Sequence, residues 1–117
     1  MFTISKEFTF DASHILIGMP DGHKCGRLHG HTYTVIVELA MPELDENGFV
    51  QDYNDLAPIK QFIDDQLDHR HLNDVLQMNP TAELIAMWLY EEFKPDFPKL
   101  KSVSVKETAK TIARYEP

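Results

Sequence analysis

The chain has 117 residues, 43% apolar and 26% charged, with one cysteine and a formal net charge of −8. At ~100–200 residues per domain, this length predicts a single domain over residues 1–117 with one modest core. One cysteine excludes an internal disulfide framework, no apolar run approaches the ~20 residues of a membrane helix, and the charge argues against a general nucleic-acid or anionic-membrane binder. The first residues, Met1 to Lys6, lack the basic-then-apolar pattern of a signal segment, so the expected address is the cytoplasm. The charge is uneven. From Glu43 to Asp68 eight acids stand against one lysine, net −7, which reads as a solvated helix face. Between Met19 and His31, Lys24 and Arg27 stand against Asp21 and are joined by His23, His29 and His31, a locally cationic and metal-capable loop.

Residues 2–14 alternate, with Phe2, Ile4, Phe8, Phe10 and Ala12 on one side, which predicts a long strand with one wet face. His14 continues the buried parity at its end. Residues 15–28, with Gly18, Pro20, Gly22 and Gly26, read as a loop. Residues 29–41 alternate again and place His29, His31, Tyr33, Val35, Val37 and Leu39 on one face, so the two strands are expected to pair as a hairpin. A turn at Asp45–Gly48 precedes a possible short strand at Phe49–Gln51. A helix is expected near Asn54 to Leu67 with Leu56, Ile59, Phe62, Ile63 and Leu67 as its stripe, Pro58 falling in the first turn. Asn79-Pro80 reads as the start of a second helix through about Phe93, with Leu84, Ile85, Trp88 and Leu89 inward. Val103, Val105 and Glu107 alternate in a third long strand, and Thr111–Tyr115 reads as a fourth. The order ββααββ predicts an α+β fold, a four-stranded antiparallel sheet with two helices on one face. Its open sheet edges favour strand-mediated oligomerisation.

The histidines carry the strongest chemical signal. His29 and His31, two apart on a strand, point the same way about 7 Å apart, with His14 ending the neighbouring strand. Three convergent imidazoles with an open fourth position match catalytic zinc, and Gly30 is expected to clear room beside the metal; the competing reading is two core histidines and one on the surface. Cys25, between Lys24 and Arg27, can be a fourth ligand, a reactive thiol or an inert buried side chain. Asp68 can orient His69 for general acid–base work, although a histidine ending a helix is also favoured by the dipole alone. Glu107, on the apolar parity of its strand, needs a partner such as two adjacent N–H donors of a ligand. Glu83 near a helix start is commonly a dipole-friendly acid.

Together these residues resemble the 6-pyruvoyltetrahydropterin synthase superfamily. The matching blocks run in order: Phe8-x-Phe10-x-Ala12-x-His14, Cys25-Gly26-Arg27-Leu28-His29-Gly30-His31, Leu67-Asp68-His69, Leu72-Asn73-Asp74, Asn79-Pro80-Thr81-x-Glu83 and Val105-Lys106-Glu107-Thr108. The tight Cys-x-x-x-His-Gly-His spacing is similar to the bacterial 6-carboxytetrahydropterin synthases of the queuosine pathway. The resemblance implies a tunnelling fold whose subunits join sheets into a barrel, commonly a hexamer of two trimers with sites at subunit boundaries. It implies zinc held by His14, His29 and His31, with Cys25 as base and not a ligand. Asp68 and His69 would be acid–base partners from an adjoining subunit, and Glu107, with Thr81 and Glu83, would anchor the pterin. The implied reaction converts 7,8-dihydroneopterin triphosphate to 6-carboxy-5,6,7,8-tetrahydropterin with release of acetaldehyde and triphosphate. Lys24, Arg27 and His23 are expected triphosphate contacts on charge alone. The rival expectations are a pyruvoyl-forming synthase, an aldolase-like relative, and a non-catalytic zinc- or pterin-binding module.

Overall fold

The computed structural model describes residues 1–117. Strands β1 (Phe2–His14) and β2 (His29–Met41) pair antiparallel along their whole length, from Phe2 opposite Met41 to His14 opposite His29. Because paired residues share a face, Phe8, Phe10, Ala12 and His14 of β1 lie beside His29, His31, Tyr33 and Val35 of β2. Phe10 stacks on Tyr33 with ring centroids 4.8 Å apart. Such buried aromatic pairs add about 0.5–1.5 kcal/mol beyond area burial, and this one stiffens the floor beneath the histidines. At the opposite end the alternation loses its meaning, since Phe2 is exposed and Ile4 only half-buried.

The acidic stretch departs from expectation in two places. Phe49–Gln51 forms bends and no strand. The Asp45 carboxylate accepts the N–H groups of Asn47 and Phe49, both at 2.9 Å, and rounds the chain into a turn. A 3-10 turn at Tyr53–Leu56, capped by Asp52, takes the place of the expected first helical residues. Helix α1 then runs Ala57–Gln66, with Pro58 in its first turn where no N–H is required. Leu56, Ile59, Ile63 and Leu67 are buried as the stripe predicts, and Phe62 is half-buried against Trp88 and Phe93.

Two small elements have no periodic signature. The two-residue strand β3 (Arg70–His71) pairs parallel with Ala12 and Ser13 of β1, and the one-turn helix α2 (Leu72–Val75) follows at once. Helix α3 (Ala82–Phe93) is capped by the Thr81 hydroxyl, which accepts the Leu84 N–H, so the cap is Thr81 and not Asn79. Its buried face is Ile85, Ala86, Leu89, Tyr90 and Phe93. Strands β4 (Leu100–Lys106) and β5 (Ala113–Tyr115) complete the sheet, and Glu107 falls one residue beyond β4.

The result is an α+β fold with a five-stranded mixed sheet, order β3-β1-β2-β4-β5, and three helices, in place of four antiparallel strands and two helices. One apolar cluster joins the inner face of β1, β2 and β4 to α1, α2 and α3. On its outer side β1 pairs with β3 only at Ala12 and Ser13, which leaves most of that edge without a strand neighbour. No helix is long and apolar enough to cross a membrane.

Candidate metal centre and acid–base pair

His14 and His29 face one another across the last rung of the hairpin, and His31 is diagonal to His14. One ring nitrogen from each of the three lies within 4.8 Å of the others, a cluster that can hold a metal ion. The hydrogen bonds decide which nitrogens are free. His14 Nδ1 donates to the buried Pro80 carbonyl at 2.8 Å, and His29 Nδ1 donates to the Arg27 carbonyl at 2.6 Å. Carbonyls only accept, so both protons sit on Nδ1 and both Nε2 atoms present lone pairs. Those lone pairs face each other at 2.9 Å. His31 Nε2 points into the same cluster, buried and without a hydrogen-bond partner. Two lone pairs facing each other and a third buried, unpartnered ring nitrogen suit a bound cation. Borderline-soft imidazole donors, two of them oriented by backbone carbonyls, fit zinc.

Burial holds the pKa values of His14 and His31 below 6.5, despite the opposing pull of Glu107, and so favours the neutral ligand form. Tyr33 lies beneath the cluster, its hydroxyl 3.1 Å from His14 Nδ1, and burial pushes its pKa far up so that it stays protonated. Cys25 stands outside the ligand cluster, half-buried and reduced, in a 3-10 turn at Lys24–Gly26. That turn is held in place at both sides. Leu16 N–H donates to the Cys25 carbonyl at 3.0 Å, and Cys25 N–H donates to His23 Nδ1 at 3.1 Å.

A cleft of ~270 Å³ is lined by Leu16, Lys24, Cys25, His29, His31 and Glu107. Glu107 brings its carboxylate to 3.9 Å from His31 Nε2 and also borders a second hollow shared with Glu83. Thr81 spends its hydroxyl on the α3 cap. Of the three cationic side chains expected around a triphosphate, Lys24 lines the cleft, whereas His23 is used to cap the turn. Gly30 corrects another expectation. A Cβ there would meet the Ala12 carbonyl oxygen at 3.2 Å, so the glycine serves close approach of β1 and not space at the metal.

Asp68 and His69 do not line this cleft. His69 borders a further, open groove that runs across β1 onto β2, with Asp11, Ser13, His31, Thr32 and His71, so His31 borders both this groove and the cleft. α1 ends at Gln66 and His69 lies three residues beyond, so the helix dipole does not explain it. Asp68 Oδ2 is 2.9 Å from His69 Nδ1. That contact raises the His69 pKa above 6.5, while hydrogen bonds, chiefly from the Asp11 N–H, lower that of Asp68. The pair's stabilisation is therefore complete below the unfolded histidine value. It fades as pH rises through the raised His69 value, and fades again in acid as Asp68 protonates. In Asp68→Asn, the His69 imidazole is expected to titrate back toward 6.5, read from its ring resonances by NMR; an unmoved titration would disprove the pairing.

Three contributors were invisible as chemistry in the sequence. Asn73 accepts the Ile15 N–H and donates to the Ile15 carbonyl, both at 2.8 Å, and Asn79 does the same for Ile17 at 2.9 and 3.2 Å. Each side-chain amide thus imitates a strand partner for the chain leaving β1. Pro80, the third, supplies the carbonyl that orients His14. Asn79-Pro80 therefore anchors the site and does not start α3; an isolated Asn beside Pro signals only a turn.

An α+β fold in which three histidines able to hold a metal ion stand near a free cysteine is the arrangement expected of an enzyme class that uses a metal. Residues 3–117 match the family described as 6-pyruvoyl tetrahydropterin synthase, and the chain belongs to that family. It is 40% identical to the 6-carboxy-5,6,7,8-tetrahydropterin synthase of Synechocystis, over 98% of this chain and 93% of that protein. It is also 40% identical to the protein of the same name from Haemophilus influenzae, over 98% of this chain and 79% of that one. Among solved structures, Caenorhabditis elegans 6-pyruvoyl tetrahydropterin synthase superposes with a TM-score of 0.87 at 28% identity, covering 99% of this chain and 95% of that one.

Proposed function

We propose that the chain is a zinc-dependent carbon–carbon lyase that converts 7,8-dihydroneopterin triphosphate to 6-carboxy-5,6,7,8-tetrahydropterin, releasing acetaldehyde and triphosphate, in queuosine biosynthesis. The observation that carries this reading is a cluster of three convergent histidines, two of which share one cleft with Cys25 and Glu107, in a chain 40% identical to proteins named for that product. His14, His29 and His31 would hold the metal. Zinc bound there supplies Lewis-acid polarisation of the hydroxyl oxygens on the substrate side chain. Cys25 as thiolate takes a carbon-bound proton. His69, oriented by Asp68, returns and removes protons on the other face of the side chain. Glu107 accepts from the amino and ring N–H groups of the pterin, with Glu83 at the neighbouring hollow and Thr81 assisting from the α3 cap, and Lys24 meets the triphosphate.

One chain offers only part of this site. The cleft of ~270 Å³ lies below the ~300–1,000 Å³ usual for small-molecule pockets, and neither Asp68 nor His69 lines it. The open β1 edge supports closure by further subunits, and the reading adopted is a hexamer of two trimers whose sheets join into a barrel, with His69 reaching a neighbour's cleft. A free, half-buried thiol suits a reducing cytoplasm. The deciding experiment incubates zinc-loaded protein with 7,8-dihydroneopterin triphosphate. Stoichiometric acetaldehyde with the 6-carboxy product is expected; a 6-pyruvoyl product without acetaldehyde would move the chain to the pyruvoyl branch, and no turnover would favour a binding module.

A further inference from the structure

The His69 imidazole is 78% exposed, so no packing fixes its direction. Its backbone is also unusual, at φ 58°, the only non-glycine residue of the chain in the left-handed region. That conformation costs on the order of 1 kcal/mol or more and persists only where neighbouring contacts impose it. The contacts come from one residue of β1. Asp11 pairs with Thr32 across the hairpin, and its N–H and C=O both point to the outer edge. Its N–H donates to Asp68 Oδ1 at 2.9 Å, and its carbonyl accepts the His69 N–H at 2.6 Å. The other Asp68 oxygen holds His69 Nδ1. One residue on, Ala12 and Ser13 take up the parallel pairing with Arg70 and His71.

We propose that Asp11 is the positioning residue of the Asp68–His69 pair, its backbone N–H holding the carboxylate and its backbone carbonyl holding the His69 N–H, so that an exposed imidazole projects in one direction. The inference rests on the acid–base reading of His69. A carboxylate tied only to its neighbouring imidazole can swing into solvent with it; one whose second oxygen is held by a strand edge cannot. The β1–β2 ladder, with Asp11 opposite Thr32, refers the clamp to β2 and through it to the histidine cluster, and at the same rung the Thr32 hydroxyl donates to Asp11 Oδ1 at 2.5 Å. The edge peptide of β1 therefore links the metal-bearing hairpin to a group that acts outside its own cleft. A misplacement of ~1 Å at a catalytic group can cost ~10²-fold in rate.

The test is Asp11→Pro, which deletes the outward N–H and leaves the β1–β2 ladder intact, since that ladder does not use it. Zinc content and circular dichroism are expected to stay native, kcat to fall about 10–100-fold with KM within about threefold, and the His69 titration to drop toward 6.5. Asp11→Ala keeps the peptide group and is expected to lose no more than about threefold. Equal losses in the two variants, or a native kcat and His69 titration in Asp11→Pro, overturn the proposal. Should Asp11→Pro fail to fold, hydrogen exchange of the His69 amide in the wild-type oligomer decides. Protection of about a hundredfold over an unstructured peptide supports the clamp, and exchange at the unstructured rate overturns it. His69→Ala tests the underlying reading separately, because full activity there would remove His69 from the mechanism without touching the exchange result.

Discussion

Cys25→Ala is expected to bind zinc as the wild type does and to lose turnover by ~10²–10⁴-fold, the contribution of a positioned general base. Metal retention follows from the geometry, because the cysteine stands outside the cluster of imidazole nitrogens. The fold should also survive, since the turn around residue 25 is held by the backbone of Leu16 and by His23, neither of which uses the sulfur. Pterin affinity should change little, so the loss belongs in kcat. Zinc analysis and steady-state kinetics on one preparation separate three cases. Zinc lost with activity would make Cys25 a ligand, and turnover near wild type would make it packing. The same variant tests site sharing: mixed with inactive His69→Ala under conditions that exchange subunits, it should regain part of the activity. A fully active monomer in sedimentation would refute shared sites.

His29→Ala is expected to lose zinc and activity together. With one imidazole gone, two nitrogen donors remain, fewer than the three of a catalytic zinc site. The His14 and His31 nitrogens would still converge, so removal of His29 also removes the closest lone-pair contact, at 2.9 Å, and the apo protein should lose little stability. The expected signature is therefore metal-free protein with a near-native thermal transition when compared with apo wild type. Stoichiometric zinc in His29→Ala would end the three-histidine assignment.

Much of the site was legible along the chain because strands make parity visible. A period of two places His14, His29 and His31 on the buried face of a hairpin, and full-length pairing brings them together as expected. The helical stripe of α1 was equally readable, whereas in α3, apolar on most sides, Ile85 and Leu89 are buried as expected, Leu84 and Trp88 are half-buried, and Ala86, Tyr90 and Phe93 complete the buried face. The alternation could not show where a strand leaves the core, so Phe2 was read as buried and is exposed. β3 and α2 were too short to carry any period.

Residue types and their local spacing thus determined which groups are available for chemistry: three imidazoles of one parity, a thiol among cations, and a carboxylate next to a histidine. Only the tertiary structure decided which atoms of those groups are free. That depends on partners distant in sequence: the Pro80 carbonyl accepting the His14 Nδ1–H, Asn73 and Asn79 holding the chain beyond β1, and the Asp11 backbone holding Asp68 and His69. Each is a hydrogen bond between segments 57–66 residues apart. Backbone carbonyls and amide groups are present at every position, so no sequence pattern marks the ones that a fold brings to a site.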